Sequence, residues 1–169
     1  MIRSISHSVE IFIKKGRLTV TFLPGFYNFN AKPSLTLEKF RKVLLVDDDD
    51  IVNSINSVII KHAKFADEVE SINNVTNAIE FLSKIKDTDD RPEVIFLDLN
   101  MPEKDGWDFM EEYEKLGMNG STKVVMLTSS ISAKDEERAS SSKQIAAFIS
   151  KPLSPELLED IYESYLKNN

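Results

Sequence analysis

The sequence predicts an α/β protein in which five short strands of a parallel sheet alternate with five helices. Three observations carry this prediction. Short apolar runs recur along the chain, segments with apolar residues at helical spacing separate them, and polar residues stand directly after several of the runs. The pattern becomes regular at Lys42 and continues almost to the end of the chain.

We expect the strands at KVLLV (42–46), EVESI (68–72), VIFLD (94–98), KVVML (123–127) and AAFIS (146–150). Four helices carry apolar faces expected to pack on the sheet, and a weak polar helix covers residues 133–142. The apolar residues are Ile51, Val52, Ile55, Val58 and Ile59; Val75, Ala78, Ile79, Leu82 and Ile85; Phe109, Met110, Tyr113 and Leu116; and Leu157, Leu158, Ile161, Tyr162 and Tyr165.

Capping residues indicate where two of the helices begin or end, and three further residues can be placed relative to the core. Gly117 suits the C-terminal cap of the third helix, and Ser154 followed by Pro155 starts the last helix. His62 extends the apolar stripe of the first helix and is interpreted as structural. Trp107 and Phe109 are expected in or near the core.

Composition excludes several classes of protein. The chain has no cysteine and two histidines, which removes disulfides, thiol nucleophiles, iron–sulfur clusters and multi-histidine metal sites. Its five glycines form neither a Rossmann fingerprint nor a P-loop. No apolar run approaches the length of about 18 residues that a membrane helix needs. We expect a cytoplasmic protein that binds neither membrane nor nucleic acid.

The N-terminal segment differs from the rest in charge. Residues 1–42 carry eight basic and two acidic side chains, whereas the remainder carries 13 basic and 26 acidic ones. The segment 9–22 could form a hairpin across Lys15-Gly16, but 40 residues are few for a second stable domain. We therefore expect a flexible or weakly structured extension over residues 1–40 and a domain over residues 41–169. A docking arm for an acidic partner is the alternative.

Polar residues converge where the predicted strands end. Asp47 and Asp48 follow the first strand, Asp98 ends the third, Thr128 ends the fourth and Lys151 follows the fifth. Two carboxylates about 4 Å apart repel by about 4 kcal/mol at an effective dielectric constant of about 20, so the cluster needs counter-charge. Mg²⁺ and Lys151 would supply it, and the whole set is typical of a phosphoryl-transfer site. Asp49 and Asp50 are interpreted as solvated carboxylates at a helix N-terminus.

Residues 42–167 resemble the receiver domain of two-component response regulators. The matching strings are VLLVDDDD (43–50), VIFLDLNMPEKDGWDFM (94–110), VVMLTSS (124–130) and FISKPL (148–153). All four occur in order on the five-fold pattern of strands and helices. The resemblance implies a flavodoxin-like three-layer sandwich, (βα)5, with strand order 2-1-3-4-5.

The resemblance also implies a role for each matched residue. Asp98 matches the phosphoacceptor, and Asp48 and Asp98 match direct Mg²⁺ ligands together with the backbone carbonyl of Asn100. Asp47 matches an indirect ligand that acts through water. Thr128 and Lys151 match the groups that contact the phosphoryl oxygens, and Thr128 and Phe148 match the switch pair. The family's Lys-Pro bond implies a cis peptide at Lys151-Pro152.

The resemblance favours a single-domain response regulator that is not an enzyme in the ordinary sense but assists its own phosphorylation and dephosphorylation. Its expected partners are a histidine kinase or phosphotransfer protein and an unidentified downstream protein. No effector domain follows the last helix in this sequence, so we expect a stand-alone receiver. A phosphorelay intermediate is the main alternative.

Two other classes fit less well. A phosphatase of the haloacid-dehalogenase type would need a second acid where Asn100 stands. A flavodoxin would need a phosphate loop where the sequence has four consecutive aspartates, residues 47–50.

Overall fold

The computed structural model describes residues 9–14, 17–22, 40–118, 122–129 and 132–166 of the 169-residue chain. It divides the chain into two compact units, residues 1–35 and residues 36–169. The second unit contains the five predicted strands of the parallel sheet and the five predicted helices.

The first unit contains two antiparallel strands, β1 (Val9–Lys14) and β2 (Arg17–Phe22). Their pairing runs from Lys14 opposite Arg17 to Val9 opposite Phe22, which confirms the predicted hairpin. The turn residues 15–16 lie outside the described part of the chain. The prediction of a flexible extension over residues 1–40 stays a prediction.

The second unit is built on a five-stranded parallel sheet. Its order is β4-β3-β5-β6-β7, which is order 2-1-3-4-5 when the strands of this sheet are counted along the chain, as predicted. All five residues of β5 are buried, because helices cover both faces of a central parallel strand. The strands are β3 (Phe40–Val46), β4 (Ala66–Ile72), β5 (Val94–Asp98), β6 (Lys123–Thr128) and β7 (Ile145–Ser150).

Five helices connect and follow the strands, and each begins at a side chain that accepts hydrogen bonds from its first turn. These N-caps are Asp49, Asn74, Asp105, Ser132 and Ser154. Gly117 ends the third helix in the left-handed conformation, as its position predicted. The helices are α1 (Asp50–His62), α2 (Val75–Ile85), α3 (Gly106–Leu116), α4 (Ala133–Ser141) and α5 (Pro155–Ile161), which continues as a π-helical turn (Tyr162–Leu166).

Two hydrophobic clusters lie on opposite faces of the sheet and make a three-layer sandwich. On one face, α2, α3 and α4 contribute residues such as Leu82 and Phe109, and Trp107 lies at the edge of this cluster. On the other face, α1 and α5 contribute Ile60 and Leu158. The expectation of Trp107 and Phe109 in or near the core is confirmed. No helix in the described ranges is long and apolar enough to cross a membrane.

The first helix differs from the sequence-based expectation. Most of its apolar stripe does not pack on the sheet, because Ile51, Ile55 and Val58 are 70%, 53% and 68% exposed. Val52 and Ile59 are only partly buried, and the exposed His62 has no place in the core either. The residues of α1 that face inward are instead Asn53, Asn56 and Ile60.

A polar contact explains the orientation of α1. The side-chain amide of Asn53 donates a 2.8 Å hydrogen bond to the carbonyl oxygen of Asp47, at the end of β3. This bond turns the face of Asn53 toward the sheet, and Ile60, about two turns further on, follows it into the core. The stripe of Ile51, Ile55 and Val58 is then left on the solvent side.

The two faces of α1 should respond differently to the same substitution. Ile60→Ala should lower the free energy of unfolding by about 2–5 kcal/mol, because it empties a fully buried site. Ile55→Ala, on the exposed face, should change it by less than about 0.5 kcal/mol. Urea denaturation of both variants measures the difference, and equal losses would contradict this orientation of α1.

Candidate functional site

The register of the sheet brings the ends of four strands to one edge. Val46, the last residue of β3, pairs with Leu97 beside Asp98 on β5. Thr128, the last residue of β6, pairs with Ser150, the last residue of β7, and Asp98 at the end of β5 pairs with Leu127. The backbone N–H of Lys151 donates to the carbonyl oxygen of Thr128 at 2.8 Å, which fixes the start of the loop after β7. The polar residues predicted from the sequence therefore stand side by side.

A lysine lies between two buried carboxylates at this edge. The ammonium nitrogen of Lys151 is 2.6 Å from Asp47 Oδ2 and 3.1 Å from Asp98 Oδ2. Asp47 and Asp98 are 4% and 5% exposed, whereas the neighbouring Asp48 is exposed to solvent. The shorter contact is made to Asp47 rather than to the acceptor candidate, a detail that the sequence did not indicate.

Burial and pairing act in opposite directions on these groups. Burial raises the pKa of Asp98 above its ordinary value, although the hydrogen bond and charge of Lys151 and the backbone N–H of Asn100 oppose the rise. For Lys151 burial acts to lower the pKa, but hydrogen bonds and charge from Asp47 and Asp98 outweigh it and raise the pKa. The lysine is thus held in its charged form beside two carboxylates.

The three carboxylates also form a group suited to a cation. One oxygen each from Asp47, Asp48 and Asp98 lies within 4.8 Å of the others. Hard divalent cations take oxygen ligands, and Mg²⁺ in particular binds through one or two carboxylates and keeps several waters. Two buried and one exposed carboxylate, open to solvent on the side of Asp48, fit that requirement.

Thr128 and Asn100 are linked in a way that the sequence did not predict. The side-chain amide nitrogen of Asn100 is 3.2 Å from the hydroxyl oxygen of Thr128, and its backbone N–H is 3.3 Å from Asp98 Oδ1. Thr128 is fully buried. In this contact the amide of Asn100 is the donor and the hydroxyl oxygen of Thr128 is the acceptor. The sequence offered only the proximity of Asn100 to Asp98 as a signal.

Two further residues hold the backbone of the site. Asn53 donates a hydrogen bond to the carbonyl oxygen of Asp47, as described for α1. Asn53 was not identified from the sequence, because a polar residue in an amphipathic helix is expected on the solvent face. Gly106 lets α3 approach β5, since a Cβ there would lie 2.7 Å from the carbonyl oxygen of Asp98. Any larger residue at position 106 would displace the backbone that carries the carboxylate.

Phe148 stands apart from these polar groups. It lies on β7 opposite Met126, two residues before the strand ends, and is partly buried against the hydrophobic cluster beneath α2, α3 and α4. The peptide bond between Lys151 and Pro152 is cis, as the resemblance implied.

Comparison with known proteins identifies the class. The family model for the response regulator receiver domain matches residues 43–163, so the chain belongs to this family of two-component signalling proteins. Domains of this family accept phosphate from histidine kinases and bind Mg²⁺ through an acidic pocket.

Solved structures agree with this assignment. A two-component response regulator from Cytophaga hutchinsonii aligns with a TM-score of 0.71 and 32% identity, over 77% of this chain and 99% of that one. The chemotaxis protein CheY4 of Vibrio cholerae aligns with a TM-score of 0.62 and 26% identity, over 73% of this chain and 98% of that one.

Curated relatives are longer proteins that share this domain. The chain is 32% identical over 126 residues to the probable C4-dicarboxylate response regulator DctR of Bacillus subtilis, covering 73% of this chain and 51% of that protein. It is 27% identical over 125 residues to the sensor histidine kinase CheAY of Helicobacter pylori, covering 74% of this chain and 15% of that protein. A protein-glutamate methylesterase of Agrobacterium fabrum is matched over 30% of its length.

Lys151 should contribute more to stability than a more exposed lysine with a similarly short ion pair. Lys151→Met leaves Asp47 and Asp98 buried without their shared cation, and we expect a loss of about 1–3 kcal/mol in the free energy of unfolding. Lys104→Met is the matched control, because Lys104 is 2.7 Å from Glu112 in a partly exposed pair.

Surface pairs contribute about 0–1 kcal/mol, so the control should lose less than Lys151→Met. Chemical denaturation without divalent cations measures both variants. Adding Asp98→Asn to Lys151→Met should recover part of the loss, and a loss as small as that of the control would contradict the argument.

Proposed function

We propose that this chain is a phosphorylation-dependent switch that takes a phosphoryl group onto Asp98 and signals through residues 133–166. The observation that carries the proposal is the position of Lys151, which contacts the buried Asp98 and Asp47 together. A carboxylate held beside a fixed cation is suited to attack at phosphorus, since the cation can neutralise charge that develops on the phosphoryl oxygens.

The proposed step is an in-line transfer from a phosphohistidine of a kinase or phosphotransfer protein. A carboxylate oxygen of Asp98 forms the new bond to phosphorus, the phosphorus–nitrogen bond breaks, and the imidazole leaves with its electron pair. The product on this chain is a mixed anhydride, an aspartyl phosphate. No oxidant or further reactant is needed.

The chain's own residues would each act on one part of this step. Lys151 orients the Asp98 carboxylate before transfer and pairs with the phosphoryl group afterwards. The Thr128 hydroxyl, which accepts a hydrogen bond from Asn100, can donate its proton to a phosphoryl oxygen. When bound, Mg²⁺ would supply additional positive charge, with Asp48, Asp98 and the carbonyl of Asn100 as direct ligands and Asp47 acting through water.

The output would follow from movement of Thr128 toward the phosphoryl group. A phosphoryl group adds about 1.5–2 negative charges and three acceptor oxygens to the site. Space vacated beside β7 would allow the ring of Phe148, now partly buried, to turn inward. Because Phe148 has no hydroxyl, only burial would favour the inward state. The surface formed by α4, β7 and α5 would change with it.

A phosphorelay intermediate is the second candidate, and the similarity to part of a sensor histidine kinase favours it. In that function Asp98 would pass its phosphoryl group to a second histidine protein. Transfer from labelled protein to a phosphotransfer protein separates the two functions.

For either function we propose protein partners in the cytoplasm. We propose no nucleic-acid or membrane partner, because the residues after 42 carry twice as many acidic as basic side chains and would repel anionic surfaces.

Asp98 should be the acceptor. With a small acyl-phosphate donor and Mg²⁺, the intact mass should rise by one phosphoryl group, and amide chemical shifts should change across residues 133–166. Asp98→Asn should abolish both effects, because an amide is not nucleophilic enough to replace the carboxylate.

Asp47→Asn is the appropriate companion, since Asp47 is equally buried and contacts the same lysine. It should still be labelled, although more slowly. Labelling of Asp98→Asn at the normal rate, with Asp48 excluded by peptide mapping, would overturn the assignment of the acceptor.

Mg²⁺ affinity should depend on Asp48 and not on its neighbour Asp50. Asp48 belongs to the carboxylate group, whereas Asp50 lies in the first turn of α1 and accepts a 3.3 Å hydrogen bond from Asn73. Asp48→Ala should weaken binding by at least about tenfold. Asp50→Ala should weaken it by less than about threefold, through long-range charge alone.

The rise in melting temperature with Mg²⁺ concentration gives both affinities. Equal weakening by the two substitutions would show that Mg²⁺ responds to the acidity of the loop rather than to a ligand at position 48.

A further inference from the structure

The helix α4 is weakly packed for an element of the proposed output surface. Among its nine residues, Ala139 is the buried one, and the others are exposed or partly exposed. Burial of a single small side chain contributes little to holding a helix in place. Contacts made by the polar side chains of α4 must therefore account for much of its position.

Those contacts converge on one residue of α3. The indole N–H of Trp107 donates to Asp135 Oδ1 at 3.0 Å, and the guanidinium carbon of Arg138 lies 4.3 Å from the centre of the Trp107 ring. Arg138 also pairs with Glu111 of α3 at 3.1 Å. We call the side chains of Trp107, Asp135, Arg138 and Glu111 the α4 clasp.

Both carboxylate oxygens of Asp135 are used in this arrangement. Oδ1 accepts from Trp107, and Oδ2 accepts from the hydroxyl of Ser132, the N-cap of α4, at 2.6 Å. The hydrogen bond from Ser132 contributes most to lowering the pKa of Asp135, and the hydrogen bond from Trp107 lowers it further. The first turn of α4 is thus tied to the indole through the same carboxylate that completes its cap.

Trp107 is itself attached to the acceptor strand. Its backbone N–H donates to the side chain of Asp105, the N-cap of α3, at 2.8 Å. The preceding residue, Gly106, donates to the carbonyl oxygen of Leu99 at 2.9 Å and approaches the carbonyl of Asp98 too closely to allow a Cβ. A short, closely packed segment therefore joins the residue after Asp98 to the indole that holds α4.

We propose that Trp107 positions α4 through the α4 clasp, so that the strength of this clasp sets how readily the output helix leaves its resting place. The inference rests on the proposed function, because a helix that moves on phosphorylation must be held by specific contacts that can break. The clasp has these properties. It consists of a hydrogen bond, a cation–π contact and an ion pair, and Arg138 and Glu111 are exposed to solvent.

The first test uses the unphosphorylated full-length protein without Mg²⁺. Trp107→Phe keeps an aromatic ring beneath Arg138 but removes the N–H that Asp135 accepts. Hydrogen exchange of the α4 amides should become about three- to tenfold faster, while exchange in β5 and β6 stays unchanged. Asp135→Ala, which creates no cavity in the core, should also speed exchange in α4.

A double-mutant cycle separates the contact from other effects of each substitution. Asp135→Ala also removes the hydrogen bond that the Ser132 hydroxyl donates to Asp135 Oδ2, and Trp107→Phe also reduces ring volume. These two losses are independent, so they add. Both substitutions remove the same hydrogen bond between Trp107 and Asp135, which can be lost only once. The fold increase in the α4 exchange rate of the double variant should therefore be smaller than the product of the fold increases in the two single variants.

Arg138→Gln, which removes the contacts of Arg138 with Trp107 and Glu111, should also speed exchange in α4. Lys84→Gln is its control, because Lys84 forms an exposed ion pair at 2.7 Å with Glu80 of the same helix, α2, and should leave exchange in α4 unchanged.

Amide chemical shifts supply the second test. In unphosphorylated Trp107→Phe the α4 resonances should move part of the way toward their positions in phosphorylated wild-type protein. Unchanged exchange in α4 in both single variants, or strictly multiplicative effects in the cycle, would overturn the inference. Failure of Asp98 to accept phosphate would overturn the proposed function instead, and the exchange experiment on unphosphorylated protein would still decide the role of Trp107.

Discussion

The contact of Lys151 with Asp47 and Asp98 is the interaction on which the arrangement of the site depends. Two carboxylates that are almost completely buried would otherwise repel each other in a region of low dielectric constant. The lysine at 2.6 Å and 3.1 Å offsets that repulsion and joins the loop after β7 to the ends of β3 and β5. The acidic site and the order of the central strands are therefore parts of one arrangement.

Around this contact, backbone atoms as well as side chains are fixed by close contacts. Asn53 fixes the carbonyl of Asp47, the N–H of Lys151 bonds to Thr128, and Gly106 allows α3 to approach Asp98. These contacts constrain the backbone on either side of the Asp98 carboxylate. In contrast, α4 is held by polar contacts at its surface, centred on Trp107. The site is thus bounded by buried backbone contacts, whereas α4 buries one side chain, Ala139.

The prediction for α1 was wrong at Ile51, Ile55 and Val58 for a physical reason that single-sequence patterns cannot reveal. Five apolar residues at helical spacing indicate a buried face, and nothing local shows that an asparagine competes for that position. The hydrogen bond from Asn53 to the end of β3 exists only after the strand and helix have packed together. The same limit applies to Asn100, whose side chain contacts Thr128 across 28 positions of sequence.

The sequence by itself determined the strands and helices of the parallel sheet and the caps at Gly117 and Ser154, because apolar periodicity and capping residues act over a few positions. It also placed the polar residues at strand ends, and the resemblance of four motifs supplied the strand order. Tertiary structure alone decided which face of α1 is buried, that Lys151 contacts Asp47 more closely than Asp98, and that Trp107 meets α4. Each of these depends on distances between segments that are remote in the chain, and those distances are set only when the layers pack.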